Sequence, residues 1–189
     1  MGKNPMTTEF LKECMADALI KLLAIKPIEK ITVQEIVTYA GVGRTTWFRS
    51  FASKREALVF KLEKLWVQWT VKNHLLEWDW EKELTEGLVV YYDCFYQNKD
   101  LFLTLYAGGL SGVVFEACNH VIAINSSADE EKENYPAQFY AGAIFGVIDE
   151  WIRGQFRDTP QELATKTAPL FTESPHSKTK GMFPPDLLL

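Results

Sequence analysis

The chain has 189 residues, 47% hydrophobic and 24% charged, which is enough apolar material for one large or two small cores and excludes a natively disordered protein. Its net charge of −5 is unevenly spread: residues 1–55 hold nine Lys and Arg against five Asp and Glu, and the remainder holds eleven against twenty. No apolar run approaches the roughly 20 residues of a membrane span, and the N-terminus lacks the basic-then-apolar layout of a signal peptide, so a soluble cytoplasmic protein is expected.

Leu11, Cys14, Met15, Ala18, Leu19 and Leu22 recur at three- and four-residue spacing and predict a helix over about 7–25, closed by Lys26-Pro27 because a residue before proline is pushed out of the α region. Thr32 is placed as an N-cap with Glu35 completing a capping box, and Val33, Ile36, Val37 and Ala40 form the buried stripe of a short second helix. Gly41 follows, where a left-handed residue stops a helix and turns the chain. Gly43 to Phe51 read as a third short helix. Ser53 with Glu56 opens a long one through about Leu76.

Further helices are predicted at roughly 80–97, 99–107, 111–125, 132–156 and 160–170, with Asn98 and Ser111 as caps and Pro160 in a first turn. Nothing alternates with a period of two, so the fold class is all α. The division expected is 1–55 for a small basic unit, 56–173 for a helical body, and 174–189 for a flexible tail rich in Pro, Gly, Ser and Lys.

The segment from Thr32 to Phe51 is a helix, a glycine turn and a second helix, the layout in which the second helix enters a DNA major groove. At 100° per residue, Trp47 and Phe51 face the first helix, while Thr45, Phe48 and Arg49 point away and Arg44 lies at the N-terminal end. The positive field that phosphate contact requires falls on this same unit.

Here the sequence resembles the TetR family of regulators: Ile31, Thr32, Val33, Ile36, Ala40, Gly41, Val42, Thr46, Phe51, Ser53, Lys54 and Leu58 stand in register with its N-terminal signature. The resemblance implies that Arg44 and Thr45 read bases, that Thr46, Phe48, Arg49 and Ser50 line the groove wall, and that Lys54 holds a phosphate, with Thr32 also among the DNA-binding residues. Two positions depart from the signature. Phe48 replaces the usual Tyr and loses a hydroxyl, and Gly43 replaces the usual Ser and loses an N-cap oxygen.

Seventeen of the 25 aromatic residues lie between Trp66 and Phe156, a mixture suited either to a core or to a mostly apolar pocket. The family implies a small-molecule effector pocket, for which Tyr92, Tyr96, Tyr106 and Asn119 are the candidate lining. Gly142 and Gly146 stand four apart on one helix, and their helical cost predicts close helix contact. This stretch resembles a TetR branch of low-GC Gram-positive bacteria whose last two helices pair across a twofold axis. That implies a homodimer through Tyr135, Phe139, Gly142, Gly146 and Trp151, and two recognition helices about 34–36 Å apart suit operator DNA.

Three cysteines, Cys14, Cys94 and Cys118, are too scattered for a disulfide framework and read as buried small hydrophobes. His74, His120 and His176 have no partner at metal-pair spacing, and Cys118 and His120 diverge on a helix, so no catalysis, metal or cofactor is expected. The sequence therefore reads as a DNA-binding repressor released by an effector. Two other readings stay open: a helical small-molecule-binding protein that no longer reads DNA, and a regulator whose aromatics are all core.

Overall fold

A computed structural model describes residues 8–75, 83–126 and 135–172. Among them the chain forms nine α-helices and one 3-10 turn, with no strand. The tail at 174–189 and the expected helix starts at 80–82 and 132–134 lie outside the described residues.

Helix α1 (Thr8–Leu23) buries Met15, Ala18, Leu19 and Leu22, the stripe its periodicity predicts. A 3-10 turn at Ile28–Lys30, not foreseen, follows Pro27 and leads into α2 (Val33–Ala40) and α3 (Arg44–Ser50). Helix α4 (Lys54–Lys72) packs on both α1 and α7 (Ser111–Ser126), so it belongs equally to the N-terminal unit and to the body. Its N-cap is Ser53, but the reciprocal bond of a capping box goes one residue further back, from Ala52 N–H to Glu56 at 2.6 Å.

In the body, α5 (Leu84–Gln97) lies against α9 (Pro160–Thr172), and α8 (Tyr135–Arg153) packs on α6 (Lys99–Ala107) and α7. Asn98 does not cap the start of α6 through its side chain. Its amide instead donates to the Cys94 carbonyl at 2.7 Å and closes the end of α5. Helix α8 stops at Arg153, three residues short of expectation, because Gln155 and Phe156 turn the chain with φ of 59° and 53°. Helix α9 starts with Pro160 in its first turn, as expected, and Thr159 and Glu162 form a capping box there that the sequence reading missed.

One apolar cluster runs from Met15 and Trp47 through Leu62, Tyr92 and Val113 to Ile148 and Phe171. Of the cysteines only Cys94 is fully buried. Cys14 and Cys118 are half-buried, and all three are free thiols.

Candidate nucleic-acid interface and the helical body

The second helix of the helix-turn-helix is positioned by local bonds first. Thr32 Oγ1 accepts from Glu35 N–H at 3.2 Å, and Glu35 Oε2 accepts from Thr32 N–H at 2.8 Å. Lys26 Nζ reaches the other Glu35 oxygen at 2.5 Å, and with the Thr32 bonds it brings the carboxyl from 4.5 down to about 2. Gly41 then takes φ 68° and ψ 30°, with its N–H directed at the Val37 and Thr38 carbonyls, and Val42 N–H closes on Val37 at 2.9 Å. That turn sets α3 against α2.

Packing fixes the rotation of α3. Trp47 and Phe51 are 1% and 3% exposed with ring centres 5.3 Å apart, and the Lys12 ammonium lies 5.0 and 4.9 Å from the Phe51 and Phe60 rings. With those two rings inward, Arg44, Thr45, Phe48 and Arg49 are exposed together, and Thr46 and Ser50 sit half-buried at the margins. Phe48 is 60% exposed, and the Arg44 guanidinium stands 5.5 Å from its ring centre. Gly43 occupies the N-cap position with extended backbone and supplies no side-chain bond.

Lys54, expected to hold a phosphate, is half-buried and already has two acceptors in the protein. Its ammonium donates to the Ile28 and Ile31 carbonyls, the latter at 2.9 Å, so it ties the 3-10 turn to α4. The neighbouring Arg55, which sequence reasoning missed, bridges to the body: Nε meets Glu116 at 2.6 Å and a terminal nitrogen meets the Gly112 carbonyl at 2.8 Å. Its partners lie 57 and 61 residues away, so no local spacing announces them.

Among the described residues the four aromatic and amide candidates of the body differ in burial and in partners. Tyr92 is fully buried. Its hydroxyl bonds Thr167 Oγ1 at 2.9 Å, and burial raises its pKa to about 12. Tyr96 is half-buried and stacks on Trp151 with ring centres 6.1 Å apart. Tyr106 donates to Asp149 at 2.8 Å, under the guanidinium of Arg153, which itself donates to Asp149 at 2.7 Å. Asn119 is half-buried on α7. Burial also pushes the Cys94 and Cys118 thiols up to about 12, which leaves them protonated and unreactive near neutral pH.

On α8, Tyr135 and Phe139 are 70% and 66% exposed, and a Cβ added at Gly142 or Gly146 would meet no atom within 4 Å. Among the described residues the close helix contact expected at these glycines is not made. Beside them runs an open groove of about 710 Å³ between α8 and α9, lined by Ala143, Gly146, Leu163, Arg157 and Lys166. Trp151, 5% exposed, forms its floor rather than projecting from the surface, held by its indole N–H on the Asp158 carbonyl at 3.0 Å.

These elements define an all-helical protein that joins a helix-turn-helix to a larger helical body. Residues 82–173, most of that body, match the TetR_C_8 family, described as a transcriptional regulator C-terminal region. Over that region the chain is similar to the C-terminal part of TetR-type transcriptional regulators. No curated protein matches it. Among the described residues no helix is long and apolar enough to cross a membrane.

Proposed function

We propose that the chain is a homodimeric repressor that reads operator DNA with α3 and is released by a small molecule bound in its body. The observation that carries this reading is the row of Arg44, Thr45, Phe48 and Arg49 held outward on a helix whose opposite face, Trp47 and Phe51, is locked in the core. A fixed helix bearing two arginines and a threonine suits major-groove readout, since Arg pairs bidentately with guanine and Thr offers both a hydroxyl and a methyl. Thr46 and Ser50 would meet the groove wall and Thr32 the backbone, while Lys54, with two N–H groups on the Ile28 and Ile31 carbonyls, keeps a third for a phosphate. The DNA-reading unit is placed at 1–55 and the effector-binding and dimerisation body at 56–173.

The dimer reading is supported by the bare glycines of α8, its exposed Tyr135 and Phe139, and the open groove floored by Trp151, a surface that a twofold copy of itself would fill. Effector contact is assigned to Tyr96, Tyr106 and Asn119, while Tyr92 is left to the core. Among the described residues body and N-terminal unit are connected through α4, which packs on both α1 and α7, through α6, which touches α1, and through Arg55, which ties the start of α4 to the first turns of α7. An effector acts through them only as far as it prefers one arrangement over the other.

The test is a fluorescence-anisotropy titration against DNA from the gene's own upstream region and a scrambled duplex, at several salt concentrations. Binding about a thousandfold tighter to the upstream DNA, with two protomers per site, is the expected result. Equal and salt-sensitive binding to both would instead favour a helical ligand-binding protein that does not read sequence.

A further inference from the structure

Phe48 is a large apolar side chain outside the core cluster, on the exposed face of α3, one helical turn beyond Arg44. The Arg44 guanidinium lies 5.5 Å from its ring centre, within the roughly 6 Å over which a cation is drawn to an aromatic face. We infer that Phe48 is a specificity-determining positioning residue, whose ring braces Arg44 so that the guanidinium fork leaves the start of α3 already oriented for guanine. The inference rests on the DNA-reading role of α3 proposed above.

The physical reason is pre-organisation. A free arginine gives up rotamer freedom when its planar fork docks on a base edge, and the loss lowers affinity even for the correct base. A ring at i+4 restricts those rotamers before binding, without neutralising the charge as a carboxylate would. A phenyl group offers a π face and no hydrogen bond, so beside apolar contact with a thymine methyl it can act by bracing the neighbouring guanidinium. The advantage appears only where both prongs of the fork find acceptors, so it widens the gap between the right base pair and a wrong one.

The experiment starts by enriching random-sequence duplexes on the full-length protein, then titrates wild type, Arg44→Ala, Phe48→Ala, Phe48→Leu, Phe48→Tyr and the Arg44→Ala/Phe48→Ala double variant against the enriched site and its single-base variants. Both side chains are exposed, so circular dichroism should show every variant folded. Arg44→Ala is expected to lose roughly 5- to 150-fold at one base pair, the range of a lost bidentate contact. Phe48→Ala and Phe48→Leu should flatten preference at that same base pair. In the Arg44→Ala background the loss of Phe48 should change affinity less than about twofold, and Phe48→Tyr, which keeps the ring, should retain preference. Wild-type enrichment of a site with additive single losses, or preference retained by Phe48→Leu, would overturn the brace and leave the DNA-reading role standing. If the wild type enriches no sequence, both fall.

Discussion

At Tyr92 the fully buried hydroxyl donates to Thr167 Oγ1, whose own proton goes to the Leu163 carbonyl at 2.8 Å within α9, so one bond joins α5 to α9 and the second orients its acceptor. Tyr92→Phe should cost about 1 kcal/mol, the net worth of one such bond, read as a lower urea midpoint at unchanged slope. A change in slope would mean that the packing of the body had altered instead. Glu35 makes a different prediction, about pH. Its folded pKa of about 2 lies below the ordinary 4.5, so its contribution is fully present above pH 4.5, declines as pH falls between the two values, and is gone below 2. A side-chain NMR titration should find the Glu35 midpoint near 2, and Lys26→Ala should move it back towards 4.5. Thr32 and Glu35 were legible as a pair because a capping box is local, three residues from end to end. The Lys26, Thr167 and Glu116 partners were not, because those contacts exist only once separate helices have docked.

The turn between α2 and α3 isolates two glycine effects at the scale of the element. At Gly41, with φ 68°, a Cβ meets nothing within 4 Å, so the cost of Gly41→Ala is wholly that of a left-handed conformation, about 1–2 kcal/mol. At Gly43 the backbone is ordinary and a Cβ would lie 3.9 Å from Thr46 Oγ1, so Gly43→Ser should restore a cap and gain a few tenths of a kcal/mol. Thermal unfolding of the two variants should therefore shift in opposite directions. If Gly41→Ala leaves the midpoint in place, the turn is not the stop that orients α3. The helices themselves were readable from three- and four-residue apolar spacing. Their ends were less so: Asn98 has the chemistry to cap either neighbour, and only its backbone placement at φ −111° and ψ 22° turned the amide to the Cys94 carbonyl.

For the whole molecule, the open side of α8 is the feature with the clearest consequence. Gly146→Trp would put an indole into the open groove of about 710 Å³ over Trp151, where its Cβ meets no atom within 4 Å. If the proposed dimer forms through this face, sedimentation equilibrium should show wild type associated and the variant dissociated at the same concentration, with the protomer's circular dichroism unchanged. A variant that remains dimeric would move the interface away from this face. By itself the sequence determined the all-helical class, the helix-turn-helix, the inward set of Trp47 and Phe51 and the outward set of Arg44, Thr45, Phe48 and Arg49, because helical periodicity and caps are written within a few residues of chain. Only the tertiary structure decided that Lys54 turns inward, that Tyr92 is core, that Trp151 is a floor and that Arg55 straps the start of α4 to α7. Those outcomes depend on which helix faces meet across tens of residues, and burial of apolar surface, which drives that meeting, is non-directional and leaves no fixed spacing in the sequence.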